Sequence, residues 1–376
     1  MHIASAELYE LTLPLREPFA ISGGTMRERR SLVVVLHDEA GHMGYGESPP
    51  FELPFYSEET LASARDLIQR ALLPRVVGGE FENPEAVDAA LRPGIRGNPF
   101  ARSGIETAAW DLEAARLGTS LAACLSARVG EPPAPAIPCG ISLGIPEDRQ
   151  PATLERAVHE ALGHGYRRVK IKVMPGWDVE PVIAARRALA GSGVPLTVDA
   201  NGAYEWPRDE ASLRVLDDAE LLYIEQPLAP DELVGHARLA HRLRTLICVD
   251  ETLRDARAAR QLIELDGPKV WNLKVHRVGG LTEALRIHAA AREFGAALWG
   301  GTMPESGLGS QAAIAMAAQA GFVYPSDLEP STRWFGRNVD VIKLTMNREG
   351  WMTVPGVSIA RLLDRARFAA SVSRIC

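Results

Sequence analysis

VKIK at 169–172, LTVD at 196–199, LYIE at 222–225, ICVD at 247–250 and VWNLK at 270–274 are the runs that decide the fold of this chain. Each is apolar, rich in Val, Ile and Leu, and closes on a charged residue: Lys172, Asp199, Glu225, Asp250 and Lys274, spaced 27, 26, 25 and 24 positions apart. Runs with no polar face read as strands buried on both sides. Between them the apolar spacing is helical, as in Val182, Ala185 and Leu189, or Leu281, Leu285, His288 and Ala289. A strand, a helix and a strand again at this interval is the βα unit of a parallel barrel. In such barrels, reactive side chains project from the C-terminal ends of successive strands, which is where the five charged residues fall.

Working outward, a barrel of about 250 residues leaves over a hundred of the 376 for a second unit. Residues 1–125 read as an α+β cap. Alternating segments around Leu11 and Leu13, at Ser31 to His37 and at Gly44 to Glu47 suggest an antiparallel sheet, and helical patterns follow at Glu58 to Leu73 and Ala101 to Leu117. The barrel is expected over 126–331, opening with a strand at Cys139 to Ile145 and ending with strands at Leu298 to Gly301 and Phe322 to Tyr324. The segment 332–376 is expected to return to the cap. Two loops of the cap, Phe19 to Met26 and Pro49 to Tyr56, bury little by composition and read as mobile surface loops or as a cover for the barrel mouth.

Net charge −7 and 46% hydrophobic content describe an ordinary soluble protein with no basic stripe for nucleic acid. The start MHIASAELYELTLPL lacks the parts of a signal peptide, and no apolar run of about 18 residues is present to span a bilayer. A cytoplasmic protein with no membrane partner is therefore expected. Cys124, Cys139, Cys248 and Cys376 show neither metal-site spacing nor the density of a disulfide framework, and read as reduced and mostly buried.

A single Asp after a strand often caps the next helix, and Asp199, ahead of Asn201 and Gly202, has that option. Three carboxylates on successive strands are harder to explain that way. Asp199, Glu225 and Asp250 make an oxygen-only donor set that selects a hard cation, Mg²⁺ before Mn²⁺ and well before Zn²⁺, with positions left for a substrate carboxylate and water. Lys170 and Lys172 are two apart on one strand and so share a side, the barrel interior. They either balance the acidic charge there or supply a base, and a base needs its pKa brought down from about 10.4. Held against a cation, a substrate carboxylate is an electron sink, so a proton on the adjacent carbon can be removed to give an enediolate. Lys172 and Lys274 on opposite faces then allow racemisation, or elimination when a leaving group departs.

VKIKV with Lys170 and Lys172, VDANGAY with Asp199 and Asn201, IEQPL with Glu225, CVDET with Asp250 and NLKVHRVGG with Lys274 together resemble the muconate-lactonizing subgroup of the enolase superfamily. The likeness extends through GYGES and PFYSEE over nearly the whole chain. It implies a (β/α)7β modified TIM barrel with an α+β capping domain formed by the N-terminal region and the C-terminal tail. GYRRVKIKVMPGWDVEPV, PCGISLGI and WGGTMPESGLG are similar to the o-succinylbenzoate synthase and N-succinylamino acid racemase branch. That branch implies a Mg²⁺-dependent syn elimination of water from a cyclohexadiene carboxylate in menaquinone synthesis. Lys172 would be base and then acid, with Lys274 stabilising the enediolate by its charge; in racemisation both lysines exchange protons. Arg277 matches an arginine of members that racemise, and members assemble as homo-oligomers.

The segment Gly301-Thr302-Met303-Pro304-Glu305 departs from the branch, which carries a second glycine where Thr302 stands; this form is nearer to cycloisomerases. Substrate contacts are expected from Ser142, Gly301, Met303 and Glu305 in the barrel and from Phe19, Phe55 and Tyr56 in the cap. Asn201 and Glu251 are expected to orient the ligands. The remaining readings are a muconate-type cycloisomerase or another epimerase of the subgroup. From a different class, a non-catalytic barrel, or one that binds phosphate through Gly279, Gly280, Gly300 and Gly301, also fits.

Overall fold

The structure, a computed structural model, describes residues 1–21 and 24–376, without the side chains of residues 19–25. Ser22, Gly23 and the side chain of Phe19 therefore lie outside the described residues.

Three antiparallel strands open the chain: β1 (Ser5–Ile21), β2 (Gly24–His37) and β3 (Met43–Ser48). Two-residue alternation divides the apolar side chains of this sheet between two cores. Leu8, Leu32, Val34 and Leu36 face the helices Leu61–Leu67 and Pro99–Arg116. Leu11, Leu13, Val33 and Val35 join a second cluster that includes Leu273, Leu281, Leu308 and Ala312 of the barrel. Both faces of the sheet are thus buried, and one of them welds cap to barrel. Gly44 and Gly46 let β3 lie directly on the long helix, since a Cβ on either would sit 2.1 Å from the carbonyl oxygens of Ala108 and Gly104 respectively. That contact gives GYGES a packing reason.

The barrel sheet is parallel and seven-stranded: β5 (Ile141–Leu143), β6 (Val169–Lys172), β7 (Leu196–Asp199), β8 (Tyr223–Glu225), β9 (Leu246–Val249), β10 (Val270–Leu273) and β11 (Ala297–Gly300), paired in chain order. The eighth position is held only by single parallel bridges, Leu298 to Phe322 and Cys139 to Ser326. A full strand at Phe322 to Tyr324 is therefore not formed. The strand expected at Cys139 to Ile145 forms as the shorter β5. Before β5 comes a separate short strand, β4 (Ala136–Pro138), paired with β12 (Trp351–Thr353). The last strand, β13 (Val372–Arg374), pairs with β1.

Local signals place the helices with small shifts. Thr60 and Ser63 form a capping box, so the first helix starts at Leu61 rather than Glu58. In Leu281–Phe294 the buried stripe is Leu281, Ala284, Ile287, His288 and Ala291, while Leu285 is half-buried and Ala289 exposed. The smaller alanines make the tight face. The expected loop Phe19 to Met26 is a hairpin arm in its described backbone, with Phe19 opposite Met26 and Ala20 opposite Thr25. Cys124, Cys139 and Cys248 are buried free thiols, and Cys376 is exposed. Among the described residues no helix is long and apolar enough to cross a membrane.

Glu106 of the long cap helix ties cap to barrel. Its buried carboxylate accepts from the backbone N–H groups of Leu281 and Thr282, both at 2.7 Å, and from Trp110 Nε1 at 2.8 Å. It thereby caps a barrel helix whose first N–H groups lack intrahelical partners. Glu106→Ala is expected to lower the free energy of unfolding by about 2–4 kcal/mol, because several buried donors lose their acceptor. Urea denaturation followed by circular dichroism measures it.

Candidate active site at the barrel mouth

Strand register aligns the ladder. Lys172 pairs across to Asp199 and Asp199 to Glu225, so the ends of β6, β7 and β8 present their side chains side by side. Asp250 and Lys274 each follow directly on the ends of β9 and β10.

Every ladder carboxylate meets a cation. Asp199 Oδ2 accepts from Lys172 Nζ at 2.6 Å and faces Lys170 Nζ at 3.4 Å, while its Oδ1 accepts from the Asn201 N–H at 2.9 Å. Glu225 accepts from Lys170 Nζ at 3.0 Å and from Asn272 Nδ2 at 2.8 Å. Asp250 accepts from Lys274 Nζ at 2.8 Å and from Arg277 Nη1. The shared side of Lys170 and Lys172 is evident in their common contact with Asp199. Lys170 is fully sunk in the interior, whereas the Lys172 side chain keeps 30% of its surface in solvent.

These contacts set the titration. Burial pushes the Asp199 carboxyl up, but the neighbouring Lys172 and Lys170 ammoniums outweigh it and hold it well below the usual carboxylate range. Glu225 goes the other way, raised by burial and then by the negative charge of Asp199. Burial lowers the Lys274 ammonium, yet the Tyr56 hydroxyl and the carboxylates of Glu251 and Glu225 leave it above its ordinary value.

The donor chemistry suits a hard divalent cation: three adjacent buried carboxylates, with Glu225 disfavoured as an anion by burial and by its neighbour Asp199, and Glu251 Oε2 buried without a hydrogen-bond partner among the described residues. The fit lies in that chemistry and not in a finished cage. Among the described residues no group of three Asp, Glu, His or Cys side chains is arranged to hold a metal ion. The ladder oxygens instead face the lysines and Arg277.

Supporting residues interlock. Lys172 Nζ also donates to Asn201 Oδ1 at 2.6 Å, and Asn201 Nδ2 donates to Glu251 Oε1 at 2.9 Å. Arg277 braces β10 through the Asn272 carbonyl at 2.9 Å. Tyr56 of the cap reaches the same corner, its hydroxyl accepting from Lys274 Nζ at 3.2 Å and lying 3.5 Å from Arg277 Nη1. Phe55 packs on Phe51, and Phe51, Phe100 and Met303 form an apolar cluster with Met26, Phe55 and Tyr56 against it.

The other expected contacts are disposed differently. Ser142 lies opposite Lys170 in register, with its backbone N–H on Glu329 Oε1. Glu305 turns one oxygen back to the Met303 N–H at 2.6 Å. Thr302 donates to the Asp327 carbonyl at 3.3 Å.

Four residues at the site escaped the sequence reading. Asp327 pairs with Lys170 at 2.7 Å and with Arg168; burial raises its carboxyl, but these two cations drive it far below the usual range. Asn272, two positions before Lys274, repeats the spacing of Lys170 and Lys172 and was findable by it. Gln226 accepts from the Asp250 N–H at 2.9 Å, joining the end of β8 to that of β9. Nothing in local sequence marked Arg168 or Asp327, since their pairing spans 159 positions.

Residues 153–358 match the family profile described as enolase C-terminal domain-like, and residues 4–125 match the N-terminal domain of mandelate racemase and muconate lactonizing enzyme. The chain belongs to the enolase superfamily. It is 42% identical over 362 residues to the N-succinylamino acid racemase of Thermus thermophilus, covering 96% of this chain and 94% of that one. It is 39% identical over 366 residues to the o-succinylbenzoate synthase of Enterococcus faecalis, covering 97% and 96%. A crystal structure of an enolase-superfamily member from Enterococcus faecalis V583 matches with a TM-score of 0.90 at 37% identity, covering 100% of this chain and 99% of that one. Enzymes of the superfamily generally use a divalent metal, typically Mg²⁺.

Gly301 shows how tightly the site is packed: an added Cβ would lie 2.2 Å from Asn272 Oδ1 and 2.8 Å from Lys274 Cε. Gly301→Ala is expected to displace Lys274 and lower turnover through it by about 10²-fold, with the barrel still folded. Steady-state kinetics beside a thermal melt checks this.

Proposed function

We propose that the chain is an o-succinylbenzoate synthase that also racemises N-succinylamino acids, with Asp199, Glu225 and Asp250 as ligands of one Mg²⁺ ion, Mn²⁺ being a substitute. The carrying observation is the placement of Lys172 on Asp199 and of Lys274 on Asp250, at the two ends of the carboxylate row. The names of the two relatives support the substrate class. The working unit in this reading is a barrel over 126–331 covered by a cap made of 1–125 and 332–376.

When bound, the cation would neutralise the carboxylates, hold the substrate carboxylate and stabilise the charge that grows there. Lys172, the more open of the two lysines, takes the proton from the carbon next to that carboxylate and returns it to the departing hydroxyl, which leaves as water. Lys274 offsets the negative charge from the other side, held by Tyr56 and Asp250. In racemisation one lysine removes the α-proton and the other delivers a proton to the opposite face. Asn201 and Glu251 orient Lys172, while Arg277 and Lys170 hold Asp250 and Glu225. Phe55, Tyr56, Met303 and Gly301, with Ser142 and Glu305, would border the substrate. The substrate is a small carboxylate, and the protein is proposed to work as a cytoplasmic homo-oligomer.

Lys172→Ala is expected to lower both dehydration and racemisation by about 10²–10⁴-fold while Mg²⁺ still binds by calorimetry; near-normal turnover would remove Lys172 from the chemistry. Lys274→Ala should abolish α-proton exchange in D₂O followed by NMR. Chelation with EDTA should stop dehydration, followed as loss of the cyclohexadiene absorbance, and added Mg²⁺ should restore it.

A further inference from the structure

Arg29 on β2 is a buried cation with an unusual set of partners. Arg29 is 2% exposed, and its guanidinium carries five N–H donors. All five are directed at backbone carbonyls. Nε donates to Pro304 at 3.1 Å, Nη1 to Arg30 at 2.6 Å and Pro50 at 3.0 Å, and Nη2 to Pro49 and to Met303 at 3.3 Å. The cation also lies over the Phe51 ring, 4.7 Å from its centroid. Burial draws the group down to about 10, with Glu47, Glu305 and Glu52 acting against that only through space.

A buried cation whose hydrogen bonds all go to neutral carbonyls is a costly way to hold a fold together. What it holds is specific. Pro49 and Pro50 begin the cap loop that carries Phe51, Phe55 and Tyr56, and Met303 and Pro304 belong to the loop after β11. The carbonyls of these four residues accept no backbone N–H among the described residues. Arg29 supplies the missing donors and fixes the two loops to each other. From there Phe51 packs on Phe55 and Tyr56, and Tyr56 reaches Lys274.

We propose that Arg29 is a positioning residue that locks the cap loop 49–56 to the barrel loop 301–305, and through them sets how tightly the apolar part of the substrate is held. The substrate half of this statement rests on the function proposed above; the loop half does not. Lysine has only three donors and no fork, so Arg29→Lys should keep the charge and lose part of the clamp, and Arg29→Met should lose all of it.

The test compares both variants with wild type and with Arg92→Met, which removes a cap–barrel ion pair to Glu283 (2.8 Å) that does not involve either loop. KM for an N-succinylamino acid is expected to rise about tenfold in Arg29→Lys and further in Arg29→Met, with kcat within about threefold. Amide hydrogen exchange at 51–56 and 302–305 should speed up about tenfold, with 196–199 unchanged and Arg92→Met like wild type. If Arg29→Met does not fold, Arg29→Lys decides the matter. Wild-type KM and exchange rates in Arg29→Lys, or equal changes in Arg92→Met, overturn the proposal. If wild type turns over neither substrate class the proposed function fails, and the exchange data alone then decide the role of Arg29.

Discussion

Burying negative charge in the middle of a protein requires compensation, and the barrel interior is organised around that demand. Asp199, Glu225 and Asp250 stand at the strand ends, where Lys170, Lys172, Lys274 and Arg277 meet them, and Asp327 pairs with Lys170 and Arg168. An isolated carboxylate in such a place would take up a proton, since its desolvation outweighs any gain from packing. Opposed in pairs, the charges stay and the strand ends acquire a fixed polarity. The apolar shell outside, from Val169 and Ile171 to Val198 and Ile224, supplies the driving force for folding but does not fix that arrangement.

The cap answers a second requirement, which is to close one end of the barrel without burying unpaired polar groups. It does so with carboxylates aimed at backbone N–H groups. Glu106 serves the helix Leu281–Phe294, Glu47 accepts from Ser306 and Gly309, and Asp111 accepts from Tyr45 and Ile359. Arg29 is the inverse device, a cation aimed at carbonyls. Such bonds are directional, so they fix the orientation of cap on barrel where the apolar cluster of Leu11, Val33 and Leu281 alone would allow sliding.

Strong periodicity made most of the fold legible. The parallel strands ending at Lys172, Asp199 and Glu225 and the antiparallel cap sheet needed only local patterns of apolar residues. The eighth barrel position did not, because Phe322 to Tyr324 has strand-like composition but pairs only at single bridges, a matter decided by neighbours far along the chain. The same distinction runs through the site. Side chains that follow a strand end could be read off directly, and Asn272 by its two-residue offset from Lys274. Asp327, Arg168 and Gln226 have meaning only once distant segments are adjacent. The pairing of Phe19 to Ile21 with Gly24 to Met26 is not legible in the sequence, because the glycines and small polar residues there carry no apolar alternation.

Tyr56 lies 218 positions from the lysine it touches and belongs to the other half of the chain. The corner around Lys274 is therefore built jointly by the cap and the barrel. A change in the cap loop alters the surroundings of Lys274 without altering any barrel residue, so this corner answers to a segment remote in sequence. A chimera joining the cap of one relative to the barrel of another would inherit the charge ladder whole, yet its lysine would meet a neighbour it had not been selected beside.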